Sequence, residues 1–234
     1  VVDVPAPGTS RAARSAFALN AGVAWLGLAL TLVISGAGGY AESVPPRGLY
    51  GLHPDGLAGV VSRLADTLSY FTIWSNVVVA VSATLLARRP MRAAFLDRVI
   101  RLDALLMITV TAIVYQVLLA PTADVVGWSR LTDPILHVVT PALTVLVWLV
   151  AGPRGWVTGR LVPFALVVPL AWVAWMLARG AVVGAYPYDF TNVVELGYPS
   201  VAGTLVAILV FGLVVASVFW GLDALLTRPG RRRA

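Results

Sequence analysis

The chain has no cysteine, no lysine and only two histidines, His53 and His137, in 234 residues. The missing cysteine excludes disulfides, thiolate nucleophiles and cysteine metal sites. Two histidines cannot assemble a histidine-rich metal site or the paired ligation of a membrane haem, so no metal and no cofactor is expected. Charge is scarce as well: charged residues make up 12% of the chain against 59% hydrophobic, and mean hydropathy is +0.87. A soluble domain of this length could not bury so much apolar surface, which leaves an integral membrane protein. No secretory leader is expected either. Pro5, Pro7 and Gly8 stand near the start, which is Val1 rather than Met, and the first apolar run is too long for a cleaved segment.

What is present begins with six apolar runs, since a membrane helix takes about 20 mostly apolar residues. They are Ala16–Ile34, Leu68–Ala87, Leu102–Ala120, Ile135–Val150, Leu161–Val183 and Val201–Leu222. The expected fold is all-α: a single domain over 1–234, a bundle of six transmembrane helices with flexible tails at 1–14 and 224–234. The net charge of +6 comes entirely from arginine. Arg11, Arg14, Arg88, Arg89, Arg92, Arg98, Arg101, Arg154, Arg160, Arg228, Arg231, Arg232 and Arg233 fall on one side of such a bundle; Arg47, Arg63, Arg130 and Arg179 fall on the other. That asymmetry is a topology signal rather than a nucleic-acid surface. It predicts both termini in the cytoplasm, in a bacterial plasma membrane.

The second run reads LSYFTIWSNVVVAVSATLLA. Positions three and four apart share a helix face, so Thr72, Ser75 and Asn76 can address one spot near the outer end. In the fourth run Asp133 is read as an N-cap and Pro134 as the first helical residue. His137 then lies one turn inside, and Pro141 should kink the helix beside it. Both runs enter from the external side, which puts a hydroxyl and an imidazole at similar depth. No carboxylate is expected in the middle of any segment.

The connections are less specific. The first external loop, Ser35–Thr67, is the longest, and His53 is read there as a solvated loop histidine. Trp172 and Trp175 in the fifth run are read as interfacial or lipid-facing. The loop YPYDFTNVVELGYPS after the fifth run sets Tyr186, Asp189, Asn192 and Glu195 on the external side. It is either an ordinary polar turn or a lid over a site opening outward.

A histidine inside a membrane segment is a functional hypothesis by default. A threonine hydroxyl becomes a nucleophile when a base takes its proton during attack, and a neutral imidazole serves as that base. Asp133, one turn before His137, can orient the ring. Asn76, Ser75 or first-turn N–H groups can supply oxyanion donors. The plainer alternatives are a threonine bonded back to a carbonyl near Leu68, and an asparagine that only holds helices together. An intramembrane protease is disfavoured, because no Gly-x-Ser-x motif accompanies the histidine.

Taken together, YFTIWSN (Tyr70 to Asn76), the histidine at the outer end of the fourth run and the YPYDF…ELGYPS loop resemble the bacterial Pr-six-Pr membrane proteins. These are distantly similar to the eukaryotic androgen-induced and androgen-dependent TFPI-regulating membrane proteins. The resemblance runs from Ala16 to Leu222. It implies a threonine hydrolase that cleaves esters of fatty acids with hydroxy fatty acids, Thr72 and His137 being the catalytic pair. The implied partner is a membrane lipid or fatty acyl ester substrate. The competing expectation is a non-catalytic protein that binds lipid or moves a small solute.

Overall fold

A computed structural model describes residues 10–40, 49, 53–54 and 56–227. The expected tails fall largely outside these residues, as does part of the first external loop, Tyr50 included. The described secondary structure is entirely helical. Six helices are long and apolar enough to cross a membrane: Arg11–Gly36, Phe71–Arg88, Phe95–Leu119, Ser129–Ala151, Gly159–Val183 and Val193–Thr227. The protein is an all-α polytopic membrane bundle. These helices are called the first to sixth spans below, and they match the six apolar runs one to one.

The spans differ from the runs at their ends, where polar residues find partners that hydropathy does not count. The first span starts at Arg11, because the Ser10 hydroxyl accepts the Ala13 N–H at 3.1 Å and caps it. Residues 11–14 are therefore helical rather than tail. A short helix, Val60–Thr67, precedes the second span, and Leu68 belongs to the turn between them. The third span starts at Phe95, two turns before its apolar run. Its early charges are accommodated there: Asp97 Oδ2 lies 2.9 Å from Arg92 Nε, and the Arg101 guanidinium lies 3.6 Å over the Trp156 ring.

That earlier start changes the reading of Asp103. It lies about two turns inside the third span, fully buried, with both carboxylate oxygens unpartnered among the described residues. Asp103 is thus a buried carboxylate within a span, although off its middle.

Asp133 is corrected as well. The fourth span starts at Ser129, so Asp133 and Pro134 lie inside the helix rather than capping it. The Asp133 carboxylate is engaged by side chains instead, as described below. Pro141 leaves its mark as an unwound turn. Without a proline N–H to bond the His137 carbonyl, the backbone widens into a π turn over Ile135–Val139, closed by the Thr140 N–H on the Ile135 carbonyl. A matching π turn, Tyr115–Leu119, ends the third span, where the Ala120 N–H reaches the Tyr115 carbonyl at 2.7 Å just before Pro121. The sixth span is interrupted at Gly197 (φ 73°, ψ 157°), a conformation that favours glycine, with Pro199 close behind.

The second and third spans form the centre. The second packs on the first and third, and the third packs on the second, fourth and sixth. Between them lies an apolar core of Val79, Ala80, Ala104 and Ile108. Small residues let the sixth span approach: Gly212 and Ala216 are buried against the third-span side. Polar side chains join the helices. Thr111 Oγ1 donates to Ser75 Oγ at 2.9 Å, Asn76 Nδ2 to the Leu136 carbonyl at 3.3 Å, and Thr144 Oγ1 to Asn20 Oδ1 at 3.2 Å. In apolar surroundings such bonds hold register, each worth about 0.6–2 kcal/mol.

The outer side carries its own brace. Asp66, 2% exposed, binds both His53 and Arg179, tying the first loop to the fifth span. His53 is therefore engaged by a buried carboxylate rather than solvated. Arg63 donates to the carbonyls of Gly36, Pro54 and Gly56 at 2.8–2.9 Å and holds the loop against the first span.

Candidate functional site

The second span delivers Thr72 in its first turn, and the fourth span delivers His137 from its π turn. Their side chains meet: Thr72 Oγ1 lies 3.0 Å from His137 Nε2. His137 Nδ1 is held from the other side, 3.0 Å from Asp133 Oδ1 and 3.1 Å from the Asp133 carbonyl. Both of those oxygens accept only, so in the neutral imidazole Nδ1 carries the hydrogen. Nε2 is then left as the acceptor for the Thr72 O–H. The spacing of four residues between Asp133 and His137 places them one above the other on one helix face.

Tyr115 completes the row. Its hydroxyl donates to Asp133 Oδ2, and its ring stacks on His137 with centroids 4.0 Å apart and planes 14° apart. The two π turns thus hold the two halves of one stacked pair. Each widened turn rotates its residue off the ordinary helical register, which sequence spacing alone does not reveal.

Ser75 and Asn76 lie beneath this row and face away from the hydroxyl. Both are fully buried. Ser75 Oγ donates to the Thr72 carbonyl at 2.9 Å, and Asn76 Nδ2 donates to the same carbonyl at 2.8 Å. Their donors are committed to backbone, so as oxyanion donors they are unsuited. They hold the Thr72 turn against the third and fourth spans. The bond back from Thr72 toward Leu68 gives way to the imidazole, while the Leu68 carbonyl accepts Trp74 Nε1 at 2.7 Å.

The loop after the fifth span does cover the site, but through other residues than expected. Tyr188 reaches it: the Phe71 N–H donates to the Tyr188 hydroxyl at 3.0 Å, and that hydroxyl also meets the Thr72 side chain. Burial of its hydroxyl end pushes the Tyr188 pKa up to about 12, so the group stays protonated and can donate. Tyr186, by contrast, is turned into the space left by Gly180 and packs on Trp172 and Met176. Asp189 is swung outward by the turn Asp189–Thr191 and is exposed. Asn192 Oδ1 accepts the Val194 N–H at 3.1 Å as a local cap, and Glu195 is exposed in the first turn that follows. None of these four lines the cleft at Thr72.

Trp172 is likewise inside rather than at the lipid surface. It is 3% exposed, stacks edge-on with Phe71 at 4.9 Å and donates to the Ser69 carbonyl at 2.9 Å. Trp175, at 39% exposed, does face outward.

Two spaces open on Thr72. One is an outward cleft of about 340 Å³ bordered by Tyr40, Tyr70, Asp133, His137 and Tyr188. The other is a narrow apolar slot between the third, fifth and sixth spans, lined by Phe71, Val110, Trp172, Phe190 and Ile208. A further slot shares Phe71, Val110, Trp172 and Ile208 with it and continues to Leu166 and Gly212. Thr72 therefore stands where an outward cleft meets a narrow apolar slot.

The residues that spacing missed are Tyr115, Tyr188 and Thr111. Tyr115 carried one available signal, a phenol inside an apolar segment at the depth of Asp133. Tyr188 sat in the flagged loop between two flagged residues. Compared with known proteins, the chain matches no family model, no curated protein and no solved structure.

Proposed function

We propose that this protein is an intramembrane hydrolase of lipid esters, with Thr72 as nucleophile and His137 as general base. The observation that carries the reading is the contact of Thr72 Oγ1 with His137 Nε2 at 3.0 Å, the far nitrogen of that ring being held by Asp133. A nucleophile bonded to a base that a third group orients is the arrangement acyl transfer needs.

In the proposed reaction, Thr72 Oγ1 attacks the acyl carbonyl carbon as its proton passes to His137 Nε2. The tetrahedral intermediate collapses, the ester C–O bond breaks, and His137 returns the proton to the leaving alcohol. Water then attacks the acyl-threonine, giving up a proton to His137. Release of the acid restores the threonine hydroxyl. Tyr188 is the donor best placed for the oxyanion, because its protonated hydroxyl lies against Thr72. Asp133 and Tyr115 are positioning residues that keep the ring in its working tautomer.

The substrate class follows from the two spaces. The apolar slot beside Thr72 is lined to take the start of an acyl chain and the roomier outward cleft takes the remainder, as for a fatty acid ester of a hydroxy fatty acid. This also agrees with membership of the Pr-six-Pr proteins, which we propose on the Tyr70–Asn76 stretch and the Tyr186–Ser200 loop. The arginine distribution supports cytoplasmic termini in a bacterial plasma membrane, with the site toward the external leaflet.

The test is labelling by a fluorophosphonate probe together with ester turnover. The wild type should be labelled on Thr72. Thr72→Ala should remove labelling and turnover completely, and His137→Ala should lower turnover by roughly 10²–10⁴-fold. Full activity in either folded variant defeats the mechanism.

One observation favours a second reading, movement of a small solute: the buried, unpartnered Asp103. Solute uptake into vesicles that is lost in Asp103→Asn and kept in Thr72→Ala would select it.

A further inference from the structure

At the end of the bundle away from Thr72, the first four spans and the loop after them line a second cavity. Asn20, Ser82, Thr144, Arg98, Arg101 and Trp156 line it, and the rest of its wall is mostly apolar. Among its neutral polar groups, Thr144 Oγ1 donates to the Thr140 carbonyl at 2.7 Å and lies 3.2 Å from Asn20 Oδ1. Its cations keep open donors. Arg98 Nε and Arg101 Nε and Nη1 are shielded from solvent and have no hydrogen-bond partner among the described residues.

Arg101 is nonetheless held in place. Its Nη2 donates to the Arg92 carbonyl at 2.6 Å, and its plane lies on Trp156. The neighbouring carboxylates make no hydrogen bond to it among the described residues. Asp97, whose charge also acts on Arg101, is paired with Arg92, Asp223 accepts the Gly155 and Val157 N–H groups, and Asp103 does not line the cavity. A topology signal accounts for arginines at this end of the bundle. It does not account for guanidinium N–H groups shielded from solvent with no acceptor among the described residues, where an unpaired donor is costly.

Size narrows the ligand. The cavity offers about 40 Å³ to the centres of water-sized groups, and one water needs roughly 10–15 Å³ by that measure. A carboxylate fits that space, whereas a glycerophosphate head or a whole acyl chain does not. We propose that this cavity binds the carboxylate of a fatty acid, with Arg98 and Arg101 as its charge partners and the chain leaving through the cavity's open side. The site is separate from Thr72 and stands whether or not the chain cleaves esters.

The experiment uses the full chain in neutral detergent with a diazirine-bearing C16 fatty acid. Crosslinking should map to the lining residues around Trp148–Val157, be competed by palmitate, and not be competed by hexadecanol or inorganic phosphate. Arg101→Gln should weaken binding about tenfold, as for loss of a charge-assisted hydrogen bond. Ala83→Leu, which fills the cavity and keeps both cations, should weaken it too. Equal competition by hexadecanol overturns the proposal. So does displacement by phosphatidylglycerol at lower concentration than palmitate, which would assign the arginines to a phospholipid head. Labelling elsewhere on the wild type overturns it without any variant.

Discussion

The two ends of the bundle handle buried polarity in opposite ways. At the Thr72 end, a row of side chains runs Tyr115, Asp133, His137, Thr72, and each donor in it meets an acceptor. At the arginine end, Arg98 Nε and Arg101 Nε and Nη1, on residues that line a cavity, have no acceptor among the described residues. A closed row fixes geometry before any substrate arrives, which suits chemistry. An open set of donors lacks its counterpart, which suits recruitment of an anion.

That contrast can be attacked where the effect should be greatest. In the proposed hydrolase Tyr188→Phe removes a donor aimed at the oxyanion while keeping the ring. It should lower kcat by about 10²-fold with little change in KM. An unchanged kcat would return the oxyanion to the backbone, where the Phe71 N–H is freed by the same substitution.

Asp133→Asn tests whether the row is needed as a row. Loss of an orienting carboxylate costs a serine triad about 10⁴-fold. Here the Asp133 carbonyl still holds His137 Nδ1, so a fall of roughly 10–100-fold is expected in kcat. Rescue by Asp133→Glu is not expected, because Tyr115 fixes the distance. A drop in thermal stability with unaltered kcat would make Asp133 a structural brace only.

The smallest effect belongs to the loop. Glu195→Gln and Asp189→Asn should change turnover by less than about twofold, as surface substitutions remote from the site do. A larger loss in either would mean that the loop moves onto the cleft during turnover.

These sites were legible in the sequence to unequal degrees. Thr72 and His137 could be paired by depth, because two helices entering from one side carry them at similar distances from that surface. Ser75 and Asn76 were seen as polar company for Thr72, but their direction was not, since the same helix face also meets the backbone carbonyl of Thr72 itself. Asp133 was placed at a helix start by its proline, and the actual start at Ser129 depends on a loop turn through Gly127 (φ 55°) that leaves no hydropathy trace. Tyr186 and Tyr188 are two residues apart in one loop and indistinguishable by type. Only the gap at Gly180 decides that the first is packed away and the second is left for the site.

By itself the sequence determined that this is a six-span helical membrane bundle, since apolar length and the want of charge leave the backbone no other way to satisfy its hydrogen bonds in lipid. It also determined which groups were available for chemistry, because only one histidine occurs in any span. The tertiary structure decided which groups meet. The π turns at Tyr115 and His137 depend on Pro121 and Pro141, and their rotation of two side chains into one stack is a property of two helices packed together. The unpartnered guanidinium N–H groups are likewise a tertiary fact: a charge near a helix end is cheap when it faces water, and only the neighbouring spans shield it from solvent.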